Sequence, residues 1–562
     1  MEAVPVLAYL DGGRRPYADA AAPLLDYLES SGAFSITRVR DPGRLADPGD
    51  HRVVLAATDG DPLGAEEEAA LREFVFGGGG LVALHATASA WRDSAGFRDL
   101  SGGFAVGEVM PATELVVRAG EHVVTDRLDR EFFVTDELPL GDNIPEDAER
   151  LLTCPWRFSD RVVAFTRRAG EGHFTYVGLA SRAALSSPTV RQFLFRALRH
   201  AGGALGDGAT HAMRVGLIGY GAIARDHGRQ VRDVAGLELA GVADVSPDRR
   251  AEAEADFSVP THHSPDGLLT DPGIDVVVVG TPPNTHAELV LLSLAFGKHV
   301  VCEKPFALRL SDVERMIAAA GDGDRVLTVY QSRRWDPDFV ALRNVVASGS
   351  IGEPFHLESF IGGYGHPCSF WHSHEPVSGG TIFDWGSHYL DWTLLLFPDR
   401  VTSVTAVAQD PVWRDVTNND HVVVDVRFAN GGQAVFMHSD VAAALKPKWY
   451  LLATRGALVG EWRREALFAR GNLGELVEDQ LAPADSPALI TVHRPNGEGG
   501  VSEERLALPA RVANGFYRNL ADHLLVGEPL AVQPSQARRN IAVMEAAARS
   551  IAAGGAVIPV DV

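Results

Sequence analysis

Residues 213–244 read MRVGLIGYGAIARDHGRQVRDVAGLELAGVAD. An apolar run of strand type, 214–218, passes straight into Gly219-Tyr220-Gly221-Ala222-Ile223-Ala224, a G-x-G-x-x-A turn that opens a helical pattern. The spacing has a physical reason. Gly219 can take a tight turn with positive φ, Gly221 lets the backbone approach a pyrophosphate with no Cβ in the way, and the small Ala224 lets helix and strand pack closely. The pyrophosphate then rests on the free amides at the helix start, around Ala222 and Ile223. A second apolar run, 237–243, ends in Asp244, whose carboxylate can accept hydrogen bonds from the adenosine ribose hydroxyls. That favours NAD, while Arg249 and Arg250 leave room for the extra phosphate of NADP.

Because this nucleotide-binding signature starts some two hundred residues into a chain of 562, a separate unit precedes it. From 1 to 201, apolar runs (4–10, 53–56, 81–85) alternate with helical patterns (20–31, 66–76), which predicts a parallel α/β sheet. Residues 202–212, GGALGDGATHA, read as a linker with nothing to bury. From 213 to 333 the alternation has a Rossmann order, with strands at 274–280, 299–302 and 326–330 and helices at 284–296 and 311–320. From 334 to 562 longer β-type runs (355–361, 401–407, 421–428, 433–438) with a hairpin signal at Asn430-Gly431-Gly432 predict an α+β domain with a mainly antiparallel sheet, closed by helices at 515–527 and 534–554.

Composition narrows the function. A net charge of -23 repels phosphate backbones and anionic lipid, so no nucleic-acid or membrane partner is expected. No apolar run approaches membrane-spanning length, and Met1 is not followed by a secretory leader pattern. Cys154, Cys302 and Cys368 form no C-x-x-C pair, which suits a reducing, cytoplasmic compartment. His366, Trp371, His372 and His374 crowd one stretch, but without flanking Cys or carboxylate ligands the expectation is a sugar-facing loop with Trp371 as a stacking surface, and no metal. Arg333, Arg334, Trp335 and Asp336, before Pro337, follow the last Rossmann strand and suit packing and substrate contact equally.

The glycine turn, Thr281-Pro282-Pro283-Asn284-Thr285-His286, Glu303-Lys304-Pro305 and Gly379-Gly380-Thr381-Ile382-Phe383-Asp384-Trp385-Gly386-Ser387-His388 together resemble the Gfo/Idh/MocA oxidoreductase family over 213–562. The resemblance implies an NAD(P)-dependent dehydrogenase or reductase of sugars, inositols or similar polyols, with Lys304, Asp384 and His388 at the reacting carbon. Separately, an exposed face of the expected antiparallel sheet favours a homo-oligomer, dimer or tetramer. It further implies cofactor contacts from Thr281, Pro282, Asn284, His286, Glu303 and Lys304. The chemistry suits these residue types. An imidazole, with an ordinary pKa near 6.5, is a fitting general base for a hydroxyl. The Lys304 ammonium can stabilise developing alkoxide, and Asp384, four residues before His388, can orient the imidazole or bind a neighbouring hydroxyl if the segment is helical. Two other readings stay open: an NAD-dependent glycosidase working through transient oxidation and elimination, and a non-catalytic sugar- or dinucleotide-sensing protein.

Phe76-Gly77-Gly78-Gly79-Gly80 with 81–86, then Trp91, Gly102-Gly103-Phe104 and Asp136-Glu137, resemble the ThuA-like domain linked to trehalose utilisation, which implies a glutamine-amidotransferase-like α/β fold over 4–200. Where an amidotransferase carries its cysteine nucleophile this chain has His85-Ala86-Thr87, so thiol-based glutamine hydrolysis is not expected. Histidines that the family pattern implies are replaced by Gly107 and by Ala180-Ser181. His85, His122, Asp136 and Glu137 remain as candidates for a carbohydrate pocket.

Overall fold

The computed structural model describes residues 3–562 apart from 12, 14–15, 127, 206–211, 324, 368–369, 463–465, 471–475, 481–485, 498 and 510. Most of the expected linker 202–212, and Cys368, lie outside the described residues. Two compact units result: Met1–His211 with Arg518–Leu530, and Ala212–Tyr517 with Ala531–Val562.

The first unit holds a nine-stranded sheet. Five strands, Phe34–Val39, Val4–Asp11, Val53–Thr58, Gly80–Leu84 and Gly172–Val177, are parallel neighbours in that spatial order. Val53–Thr58 and Gly80–Leu84 are buried along their whole length, as strands covered on both faces must be. The expected parallel sheet covers these five strands, and the rest of the sheet departs from it. Ser159–Ala169, Glu149–Trp156, Ala105–Ala119 and Glu131–Asp142 extend the sheet with antiparallel pairings. These strands follow one another without long helices between them, and a parallel pairing needs such a crossover. Arg518–Leu530, read from sequence as part of the last domain, belongs to this unit because of buried polar contacts. Asp522 is fully buried, accepts from Gln192 Nε2 at 3.0 Å and lies 3.6 Å from Arg196 Nη1.

The second unit starts with a six-stranded parallel sheet in the order Thr261–His262, Leu237–Ala243, Met213–Ile218, Val276–Val279, His299–Cys302, Leu327–Val329. Successive connections leave Met213–Ile218 to opposite sides, so a crevice opens at the carboxyl ends of the strands there. The predicted helix 284–296 is a 3-10 turn, Pro283–Thr285, followed by the helix His286–Ala295. A second sheet of nine strands follows, antiparallel except where Pro354–Gly362 lies parallel to Gln433–Ser439 among the described pairings. His421–Phe428 and Gln433–Ser439 form the expected hairpin, with Gly431 at φ +87° in its turn. The helices Gly386–Leu396 and Pro534–Ala552 cover one face, which is why Val422, Val424 and Val426 are fully buried while Val423 and Asp425 are not.

One buried ion pair anchors this layer. Lys448 Nζ sits 2.6 Å from Asp338 Oδ2 with both side chains at 1% exposure or less, and the same oxygen accepts the Ala488 amide. Removing one partner strands a charge in the interior, so Lys448→Met should destabilise the unit by roughly 3–5 kcal/mol. Denaturant unfolding checks this, and adding Asp338→Asn to that variant should recover part of the loss.

Candidate active site

The crevice of the second unit is a cleft of about 1580 Å³ lined by Gly219, Gly221, Asp244, Thr281, Lys304, Asp384 and His388 among others. That exceeds the roughly 300–1,000 Å³ of a single-ligand pocket, so a dinucleotide and a second molecule fit together.

The glycine turn is built as the spacing requires. Gly219 has φ +91°, and a Cβ there would meet Gly280 O and Thr281 Cγ2 at 2.9 Å. At Gly221 a Cβ would meet nothing within 4 Å, so it would stand in the open cleft where a pyrophosphate must approach. The helix Ala222–Asp233 starts there with no side-chain cap, leaving its first amides for an anion. These residues fit a dinucleotide. Asp244 is pinned by the backbone, since Oδ2 accepts the Tyr220 amide at 2.7 Å and Oδ1 the Ser246 amide at 2.8 Å. Arg250 is spent on the carbonyls of Asp244 and Val245, while Arg249 lines the cleft.

Other expected cofactor residues divide. Ala222, Ile223, Thr281, Pro282 and Glu303 line the cleft. Asn284 is exposed and His286 is fully buried, and neither is among the lining residues. The two ring nitrogens of His286 lie 2.8 Å from the Pro305 and Thr281 carbonyl oxygens, so it ties two cleft loops together instead of touching a ligand. Glu303 likewise braces, with Oε2 accepting the Lys304 amide at 2.8 Å and Oε1 facing His227 Nε2 at 2.9 Å. His227 Nδ1 in turn meets the Tyr517 hydroxyl at 2.7 Å.

Lys304, which follows the strand His299–Cys302, reaches Asp384 Oδ1 at 2.6 Å. Burial pushes the Asp384 carboxyl up, but the Lys304 ammonium outweighs it and holds the group below the usual carboxylate range. Asp384 closes one short helix, Thr381–Asp384, and His388 lies in the next, Gly386–Leu396. Of the two roles expected of Asp384, orienting the imidazole or binding a neighbouring hydroxyl, the first is not seen here. His388 Nδ1 faces Gln331 Oε1 at 3.2 Å, and Gln331 Nε2 donates to the Ser387 carbonyl at 3.0 Å. That amide orientation makes Nδ1 the protonated nitrogen and leaves the Nε2 lone pair to accept. Burial, then the nearby Lys304 and Arg333 cations, push the imidazole well below its ordinary pKa, so it is neutral. Sequence reasoning missed Gln331, although its place at the carboxyl end of the strand Leu327–Val329 is where site residues of such sheets gather.

The arginine pair separates. Arg334 is buried and grips Asp391 at 2.5 and 2.7 Å, a packing role. Arg333 lines the cleft, 5.2 Å over the Trp385 ring. Trp371 and His372 stack at 3.7 Å and form a cleft wall, whereas His366 faces Asp415 and His374 faces Thr417. Among the described residues no group of three or more His, Cys, Asp or Glu could hold a metal ion.

In the first unit the four candidates also divide. His85 Nε2 lies 3.3 Å from Glu137 Oε2, and Asp136, the residue before Glu137, is buried. His122 instead packs on the His200 ring, 3.4 Å from Glu149.

Behind Asp384, His438 Nε2 lies 3.5 Å from Asp440 Oδ1. Burial, then the negative charges of Asp420 and Asp384, push the Asp440 carboxyl up to about 7. A carboxyl raised in the folded state destabilises that state once it ionises, so the loss grows as pH rises from about 4 through 7. Asp440→Asn should therefore match wild type below pH 4 and be more stable above pH 7, by on the order of 1–4 kcal/mol. Melting temperatures of both proteins across pH check the sign.

Residues 213–331 match the family described as "Oxidoreductase family, NAD-binding Rossmann fold", 339–459 match the GFO/IDH/MocA C-terminal domain, and 6–201 match ThuA, "Trehalose utilisation". The uncharacterized oxidoreductase YdgJ of Escherichia coli is 31% identical over 59% of this chain and 94% of its own length. Myo-inositol 2-dehydrogenase of Thermotoga maritima is 33% identical over 40% of this chain and 68% of its own. The solved NAD-binding protein of Listeria innocua aligns with a TM-score of 0.53 and 27% identity, covering 62% of this chain and 96% of that one. With its cleft and glycine turn, the chain therefore belongs to the Gfo/Idh/MocA family of NAD(P)-dependent oxidoreductases, carried behind a ThuA-family unit.

Proposed function

We propose that the second unit oxidises, reversibly, a ring hydroxyl of a sugar, glycoside or inositol, with Lys304, Asp384 and His388 at the reacting carbon. The observation that carries this reading is the meeting of Lys304 and Asp384 at 2.6 Å in the same cleft as His388 and the glycine turn. Gly219, Gly221, the amides of Ala222 and Ile223, Asp244, Thr281 and Pro282 would hold the dinucleotide, which supplies the hydride acceptor when bound. The fixed negative charge of Asp244 opposes a 2′-phosphate, which favours NAD over NADP.

The substrate hydroxyl sits between Lys304 Nζ and His388 Nε2. Because Gln331 fixes the proton on Nδ1, Nε2 accepts the hydroxyl proton. The Lys304 ammonium, held by Asp384, stabilises the oxygen as negative charge develops, as an oxyanion-hole donor does. The same ammonium and Arg333 oppose a lasting imidazolium, so the proton moves on to solvent. Asp384 has a second oxygen for a neighbouring hydroxyl, and the Trp371 wall suits the apolar face of a sugar ring. Relatives named inositol 2-dehydrogenase, among them one from Rhizobium meliloti at 33% identity, support a polyol. The half-buried Val423, Val435 and Met437, on the sheet face that the helices leave uncovered, support pairing of protomers as dimers or tetramers. The two buried thiols, Cys154 and Cys302, suit a reducing cytoplasm, and among the described residues no helix is long and apolar enough to cross a membrane.

Purified protein incubated with NAD or NADP and a panel of monosaccharides, inositols and disaccharides, with nicotinamide absorbance and free-sugar release followed together, tests the reading. Reduction without sugar release is expected. Sugar release at constant absorbance identifies a glycosidase, and binding without turnover a sensor. Lys304→Ala and His388→Ala should each lower turnover at least about 100-fold while leaving dinucleotide affinity nearly intact. Wild-type turnover in either variant removes that residue from the mechanism.

A further inference from the structure

Two imidazoles line the cleft within reach of the Lys304 charge, His388 and His372. His388 has one nitrogen committed to Gln331. His372 sits in the 3-10 turn Trp371–Ser373, and among the described residues no hydrogen bond or ion pair meets either of its ring nitrogens. Its backbone is nonetheless fixed. The His372 carbonyl accepts from Asn418 Nδ2 at 2.8 Å, and the Ser373 carbonyl accepts the Thr417 and Asn418 amides at 3.1 and 3.3 Å. Trp371 stacks on the imidazole at 3.7 Å and 21°, and Phe370 meets it at a steep angle, 5.3 Å away. Stacking uses the face of a ring, whereas the N–H and the lone pair of an imidazole lie in its plane, so both remain for a ligand.

Burial pushes the His372 imidazole below its ordinary pKa against the opposing pull of Asp384, and the charges of Lys304 and Glu303 act on the ring as well. The ring is therefore uncharged at neutral pH, with one nitrogen to donate and one to accept. Asp384 and Lys304 are the pair on which the proposed oxidation turns, so an imidazole that feels both charges stands close to the substrate's place. A half-buried polar group with no protein partner costs free energy unless water or a ligand meets it. Were the residue only a platform for Trp371, phenylalanine would fill the place with no nitrogens to desolvate.

We propose that His372 determines the specificity of the second unit by hydrogen-bonding the hydroxyl on a carbon next to the one oxidised, so that the substrate class is a polyol with contiguous hydroxyls. This inference rests on the dehydrogenase reading above. Lys304 Nζ and His388 Nε2 take the reacting oxygen, the second oxygen of Asp384 takes the hydroxyl of one neighbouring carbon, and His372 takes that of the other. A polyol hydroxylated on both sides of the reacting carbon satisfies all four side chains. An analogue that lacks the hydroxyl at His372 displaces water from the imidazole and gives nothing back, so the site rejects it.

The test compares parent and deoxy substrates. The full chain is assayed with NAD on each polyol of the panel that it oxidises, D-glucose and myo-inositol first, and on the monodeoxy analogues of that polyol, with the oxidised carbon identified by NMR of the product. For the analogue lacking the hydroxyl that His372 holds, wild-type kcat/KM should fall at least about 100-fold. His372→Phe keeps a ring to stack on Trp371 but has no nitrogens. It should lose a similar factor on the parent polyol and little more on that analogue, so that the ratio of the two falls to about one. His372→Gln, which can still donate and accept, should exceed His372→Phe on the parent at least about tenfold. A loss of packing alone would lower parent and analogue together and leave their ratio unchanged. A parent-to-analogue ratio that persists at both neighbouring carbons in folded His372→Phe, or a wild-type ratio near one at both, overturns the proposal while nicotinamide reduction stands. Absence of reduction on every polyol sinks the dehydrogenase reading, and this inference with it.

Discussion

The contact between Lys304 Nζ and Asp384 Oδ1, at 2.6 Å, joins residues 80 positions apart in sequence and sets the geometry of the cleft. One end stands on the loop after a strand of the parallel sheet, the other on a short helix beside the second sheet. An ammonium in a half-buried cleft is costly to desolvate unless a carboxylate faces it, and Asp384 supplies that carboxylate. Much of the surrounding polar structure serves to hold these two groups still. Glu303 fixes the Lys304 backbone, and His227 and Tyr517 fix Glu303. His286 ties the loop bearing Thr281 to the one bearing Pro305.

Buried charge is used in the same way throughout the second unit. Arg334 with Asp391, and Lys448 with Asp338, satisfy each other where water cannot reach. Such pairs contribute little net stability compared with apolar packing, but they tolerate only one arrangement of the elements that carry them. The first unit applies the rule with Asp522 and Arg196, and with Asp136, whose carboxylate accepts three amides.

The two units differ in what their sheets leave exposed at the carboxyl edge. In the second, glycines keep the backbone bare so that a large anion can approach, and charged side chains gather at one end of the cleft. In the first, no glycine turn of that kind follows the strand Gly80–Leu84. His85 stands there instead, at φ +43°, with its Nε2 3.3 Å from Glu137 Oε2. The same strand edge is thus dressed differently in the two units, with bare glycine backbone in one and a buried histidine in the other.

Local signals carried the amino-acid sequence a long way. The G-x-G-x-x-A spacing, the run 299–302 and the hairpin at Asn430-Gly431-Gly432 are each fixed by backbone sterics or by periodicity within a few residues, and each stands as expected. The motif residues Lys304, Asp384 and His388 also line one cleft. What sequence could not decide is which polar group answers which, because that depends on side chains brought together from distant positions. Spacing left Asp384 free to orient His388 or to bind a neighbouring hydroxyl, and in the fold Lys304 takes Asp384 while Gln331 takes the imidazole. Nothing local distinguishes Arg333 from Arg334, or His286 as a strut from His286 as a ligand contact. The antiparallel half of the first sheet, and the placement of Arg518–Leu530 with that unit, likewise follow from long-range pairing and buried charge. Chain periodicity determines the elements, whereas the requirement that every buried donor, acceptor and charge find a partner is met only in the folded tertiary structure.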